Sequence, residues 1–185
     1  MRQFETKVTL KTILKDTKSD SAIKEAVANA IDANSKNIYI EVYEKTISND
    51  IMDTICICLD IADDGDGIVT KERKFEDAFC QYNVSIKNEK VKYGKKGKGR
   101  YSYLSLVKNH KNLNIYTKNT QVFKIAFSCK SNENITLKLE NYNKKIDTQI
   151  KQNYTTLVQF YDLNEEKFNI KKEIKRKFQK RLKVK

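Results

Sequence analysis

Three groups of residues in this 185-residue chain have types and spacing suited to chemistry. Glu25, Asn29 and Asp32 are four and three residues apart, so on a helix they line up along one face. A solvated polar face has the same pattern. Asp63-x-Gly65-x-Gly67-Ile68 follows an apolar, alternating run and ends it abruptly. Gly94-Lys95-Lys96-Gly97-Lys98-Gly99-Arg100 puts three glycines and four cations in seven residues. Glycine reaches positive φ and lets a ligand approach the backbone, so such a loop can cradle an anion. A basic solvated turn would be composed similarly. The chain has five glycines and no proline, and all five glycines lie in these two loops. The loops need glycine for backbone reasons that the remaining sequence does not share.

The elements that must carry these residues can be read from periodicity. A helix is expected from Ser19 or Asp20, either of which can cap it, to about residue 33. Ile23, Ala26, Val27, Ala30 and Ile31 would be its buried stripe. Residues 37–45 and 54–62 alternate as strands, the second with Ile55, Ile57, Leu59 and Ile61 on one face. Residues 3–10 read as a short edge strand or arm. A short helix is expected over 71–80, within a segment that has the character of a lid between the two glycine loops. Residues 100–108 read as a helix whose free N–H groups face whatever the loop holds. Strands are expected over 113–117, 122–129, 135–140 and 155–161. The last 20 or so residues, with Ile170, Ile174, Phe178 and Leu182 four apart, read as a basic amphipathic helix.

Composition bounds the function. Hydrophobic content of 39% and this length suit one folded domain. No apolar run approaches a membrane span and the N-terminus has no signal-peptide core, so no membrane partner is expected. Cys56, Cys58, Cys80 and Cys129 form no Cys-x-x-Cys pair, and His110 is the only histidine, so no zinc pattern is present. Reduced buried thiols in a cytoplasmic protein are the expectation. The net charge of +13 is concentrated: residues 171–185 hold nine Lys/Arg against one Glu, and residues 87–100 hold seven against one. A nucleic-acid contact would therefore run through the 171–185 tail rather than a broad face. A partner-docking helix is the alternative for that tail.

The three groups in this order resemble the GHKL ATPases: gyrase B, the ninety-kilodalton heat-shock chaperone, histidine kinases and MutL. The likeness covers roughly residues 15–162. Thr156-Leu157-Val158-Gln159-Phe160 is similar to the family's late Gly-Thr strand, with Thr155 where glycine is usual. The resemblance implies an α+β two-layer sandwich, its mixed, mostly antiparallel sheet covered on one face by helices. It implies an ATP-binding domain over 1–162, with a lid at about 69–99, followed by the basic helix over 163–185.

Site roles follow from the same likeness. Asn29 would ligate Mg²⁺ through its side-chain oxygen, with ATP phosphates and waters completing the shell. Glu25 would orient and deprotonate the attacking water. Asp63 would accept from the adenine amino group, helped by Thr156. Gly65 and Gly67 would let the chain pass close to the base, with Ile68 packing near it. The amides of Gly94, Gly97 and Gly99 would hold the phosphates, with Lys95, Lys96, Lys98 and Arg100 as phosphate or lid contacts. Asp32 would hold the helix and its polar network. The loop is not a Walker A motif, because no Gly-Lys-Ser/Thr closes it. Glu25 argues against a histidine kinase, and Gly-Lys-Gly-Arg-Tyr-Ser looks closest to chaperone-like and MORC-like members. Gyrase- and MutL-type enzymes reach the γ-phosphate with a lysine from a following transducer domain, where this sequence has only a basic helix. Slow hydrolysis is therefore expected, with ATP closing the lid and changing a homodimer or partner interface. A nucleotide-gated binding module without turnover is the alternative.

Overall fold

The computed structural model describes residues 1–17, 21–48, 53–68, 75–76, 99–130 and 133–164. Seven strands form one sheet: β1 (Arg2–Thr9), β2 (Ile38–Ser48), β3 (Asp53–Asp63), β4 (Leu113–Lys118), β5 (Val122–Ser128), β6 (Asn134–Asn141) and β7 (Thr156–Phe160). They lie in the order β1-β6-β5-β4-β7-β3-β2, and every ladder between them is antiparallel. The sheet is thus more uniform than the mixed arrangement expected. Helices α1 (Leu10–Asp16) and α2 (Ser21–Asp32), with a short helix at Gly99–Ser102, supply the second layer.

Strand alternation makes the core. Phe123, Ile125 and Phe127 of β5, Ile135, Leu137 and Leu139 of β6, and Val158 and Phe160 of β7 share one buried cluster with Ile13, Ala22, Ala26, Tyr101 and Tyr103. The opposite sheet face carries a smaller cluster of Ala62, Tyr116, Ile150 and Leu157. Beside it Asp60 is fully buried, accepting from Thr148, Gln159 and Tyr43.

The structure adds to the sequence reading and corrects it at particular elements. Helix α1 was not legible, because β1 runs straight into it: Thr9 ends the strand and caps the helix, accepting from the Thr12 amide at 3.3 Å. The buried face of α2 is Ala22, Ala26 and Ala30, whereas Ile31 is 46% exposed and Ile23 and Val27 are only half-buried. A stripe of alanines brings the helix axis close to what it packs on, which longer aliphatics would prevent. Ile55 is 67% exposed, since the outer end of the β2–β3 ribbon extends past the main cluster.

The helix expected over 100–108 ends at Ser102 and tightens into a 3₁₀ turn at Tyr103–Ser105. Ser102 and Ser105 bond back to the carbonyls of Gly99 and Ser102, competing with helical bonding. Val107 then bridges Leu163, and the Lys108 amide bonds the Asp162 carbonyl, so the chain is drawn towards the sheet. Leu163 is core. Of the helix expected over 71–80 only residues 75–76 are described; they are helical, with Phe75 buried and its ring 5.0 Å from that of Phe4. The rest of that segment, the lid other than residues 75–76 and 99, and the tail beyond residue 164 lie outside the described residues.

Candidate functional site

Helix α2 presents Glu25 and Asn29 on one flank of its alanine face, both half-buried. By helical geometry Ile23, Val27 and Ile31 lie on the opposite flank, where they line an apolar groove away from these polar groups. The short helix Gly99–Ser102 packs against α2. At Gly99 a Cβ would fall on the Glu25 carboxyl carbon and both its oxygens. Any side chain at Gly99 would make the flexible end of Glu25 move from this position. One turn further on each element, the Asn29 Nδ2 donates to the Tyr103 hydroxyl at 3.0 Å. Gly99 and Tyr103 are four apart, as are Glu25 and Asn29, so the two segments meet in register at two points.

Tyr103 is only 3% exposed and sets its ring edge-on to Phe160, 5.8 Å between centroids. Burial holds its phenol well above the usual range. The hydrogen bond from Asn29 opposes that shift, as does Arg100, and the charges of Glu25 and Asp63 add to it. Those four side chains therefore share one electrostatic neighbourhood. Arg100 also lies with its guanidinium carbon 6.0 Å from the Tyr101 ring centre.

The other half of the site is a row across three adjacent strands. Asp63 ends β3 opposite Thr156 of β7, which stands opposite Thr117 of β4. All three are buried. Asp63 Oδ1 accepts from the Ser35 hydroxyl at 2.9 Å and the Gly65 amide at 3.0 Å. Burial raises the Asp63 carboxyl above its usual range, while Gly65, Ser35 and Thr156 each stabilise the ionised form.

The loop after Asp63 is pinned on both sides. Asp64 Oδ1 accepts the amides of Lys36 and Asn37, each at 2.8 Å. A Cβ on Gly65 would meet the Ala33 carbonyl and Ser35 Oγ, and the Asp66 amide bonds that carbonyl at 2.7 Å. Gly65 thus seats the loop on the end of α2. Gly67 has φ +76°, and a Cβ there would lie 2.8 Å from the Thr155 methyl. Thr155, which replaces the usual glycine, is accommodated by the bare backbone of Gly67. Ile68 is held to β4 by its amide, which donates to Thr117 Oγ1 at 2.9 Å, and by its carbonyl, which accepts from Asn119 at 3.1 Å. Asp32 is the last residue of α2 and is half-buried.

The fold therefore brings Glu25, Asn29, Gly99 and Arg100 together, and joins Asp63, Gly65, Gly67, Ile68 and Thr156 in a second cluster. Tyr103 feels charges from both. Gly94, Lys95, Lys96, Gly97 and Lys98 lie outside the described residues. Sequence reasoning missed Ser35, Tyr103, Thr117, Asn119 and the accommodation of Thr155. Only Tyr103 left a signal, its spacing of four from Gly99 matching that of Asn29 from Glu25.

A family model described as histidine kinase-, DNA gyrase B- and HSP90-like ATPase matches residues 17–166. The chain belongs to this family. No curated protein matches it. The family's ATP-binding domain accounts for the antiparallel sheet with helices on one face, and its match spans both clusters. Among the described residues no helix is long and apolar enough to cross a membrane.

Among the described residues no group of three His, Cys, Asp or Glu gathers for a metal. A cation held by the single hard oxygen of Asn29, with phosphates and water completing its shell, needs no such group, so the residues present fit Mg²⁺ bound with nucleotide.

Proposed function

We propose that the chain binds ATP with Mg²⁺ and hydrolyses it slowly, using Glu25 as general base. The observation that carries this is the seating of the Glu25 carboxylate against Gly99, the last residue of the glycine loop. A base must sit within reach of both its water and the phosphate that the water attacks. A loop that cradled phosphates with its backbone amides would bring them to that carboxylate. The ion would neutralise developing phosphate charge. Asn29 would contribute one oxygen to holding it.

Asp63 would take the adenine amino group as a hydrogen-bond acceptor. The Gly65 amide and the Ser35 and Thr156 hydroxyls that stabilise its ionised form support an acceptor role at neutral pH. Ile68, fixed by Thr117 and Asn119, would supply apolar contact to the base. Gly94 and Gly97, with Lys95, Lys96, Lys98 and Arg100, would complete the phosphate side. The chain would then be nearest the chaperone-like and MORC-like branch, a reading supported by its Gly-Lys-Gly-Arg-Tyr-Ser sequence. ATP binding would close the 69–99 lid and change an interface with a second copy or a partner. The 171–185 tail is a candidate nucleic-acid contact, for which steep salt dependence lost on deleting the tail is the expected signature.

Titration with ATP and ADP in the presence of Mg²⁺, followed by measurement of phosphate release, tests this reading. ATP binding with slow release supports it. Binding without release would favour a nucleotide-gated module that does not turn over.

A further inference from the structure

The side-chain amide of Asn29 has two chemically opposite ends. Its oxygen can hold a hard cation, whereas its NH₂ group is a donor with nothing to offer one. The last torsion of asparagine is broad and roughly two-fold, so a helix face alone does not decide which end points where. In this fold a single buried neighbour does: Nδ2 donates to the Tyr103 hydroxyl at 3.0 Å. The carboxylates of Glu25 and Asp63 lie close enough to act on that hydroxyl. Both favour the protonated phenol, whose oxygen still carries lone pairs to accept the amide N–H.

Tyr103 is itself held firmly. It is 3% exposed, begins the 3₁₀ turn directly after the short helix, and packs its ring edge-on to Phe160. We propose that Tyr103 is a positioning residue for the cation site, holding the nitrogen of Asn29 inward so that its oxygen is left for the metal. This rests on the role of Asn29 given above. Tyr103 reaches the cation only through Asn29. It also ties the Asn29 amide to the segment that begins at Gly99.

The test is ATP binding by calorimetry at graded Mg²⁺, and in chelator, for the full chain and for Tyr103→Phe, which keeps the ring against Phe160. Mn²⁺ binding followed by electron paramagnetic resonance gives a second readout. The midpoint for Mg²⁺ should rise about tenfold, as when other partners that orient a metal ligand are removed. Affinity for ATP in chelator should hold. In an Asn29→Asp background, where either end of the side chain is an oxygen, Tyr103→Phe should add nothing. An unchanged Mg²⁺ midpoint in Tyr103→Phe would overturn the proposal alone. So would an equal loss of affinity with and without the ion, which marks a merely structural tyrosine. ATP binding by the unsubstituted chain that ignores Mg²⁺ would overturn both the proposal and the role of Asn29.

Discussion

The Glu25 carboxylate occupies the space that a side chain on Gly99 would need. A glycine whose neighbours look like a phosphate loop thus also gives space to a carboxylate 74 residues earlier in the chain. The position joins the base of the proposed reaction to the loop that would hold its substrate.

Gly99→Ala should therefore act on chemistry more than on stability. The added methyl must displace the Glu25 carboxyl group or the short helix. Because that carboxyl is the flexible end of its side chain, it can swing aside at little cost in stability. Thermal melting should change little, while phosphate release should fall at least tenfold, as expected when a catalytic group is displaced by about 1 Å. Unchanged turnover would separate Gly99 from the reaction.

Glu25→Ala should keep ATP affinity within a few-fold and lower turnover by about 10²–10⁴-fold, the usual contribution of a general base. Phosphate release under saturating ATP measures it. Turnover at the unsubstituted rate would remove Glu25 from the base role.

Asp63→Asn replaces an acceptor-only carboxylate with an amide that must be rotated correctly in a crowded pocket. ATP affinity should drop by about tenfold or more, consistent with loss of a charge-assisted hydrogen bond of about 1.5–3 kcal/mol. Near-wild-type affinity by calorimetry would contradict the adenine role.

Gly67→Ala meets two obstacles, the left-handed backbone at φ +76° and the Thr155 methyl. The backbone alone should cost about 1–2 kcal/mol. Thr155→Gly combined with Gly67→Ala should recover the steric part and leave the backbone part, as read by chemical denaturation. Full recovery would show that the conformation carries no strain.

Asp60 gives a pH signature. Burial raises its folded-state pKa above the unfolded value of 3.8, despite donors from Thr148, Gln159 and Tyr43. Above 3.8 the unfolded chain gives up this proton more readily than the folded one, so the contribution favours folding at low pH. It is lost as pH rises from 3.8 through the raised folded value. Half-buried Asp64 and exposed Asp147, whose pKa values are lowered, slope the other way. Stability curves of wild type and Asp60→Asn, compared across the carboxylate range, should differ by that falling slope. Parallel curves would show that Asp60 titrates as in the unfolded chain.

The sequence by itself determined the strands, the α2 segment and the family. Period-two alternation in β5 and β6 and helical spacing in α2 are local signals, and glycine confined to two loops marks backbone demands that composition alone displays. It also placed Glu25 and Asn29 on one helical face. Tertiary structure decided what those faces meet. Local periodicity pointed to Ile23, Val27 and Ile31 as buried together with Ala26 and Ala30, but a helix axis drawn close to its neighbours admits alanine, and only Ala26 and Ala30, joined by Ala22, face inward. The Asp63–Thr156–Thr117 row depends on β7 inserting between β3 and β4, a pairing between residues about 90 and 40 positions apart. The partnership of Glu25 with Gly99 and of Asn29 with Tyr103 depends likewise on two distant turns coming into register. No local propensity encodes it, because it is set by how the helical layer settles on the sheet.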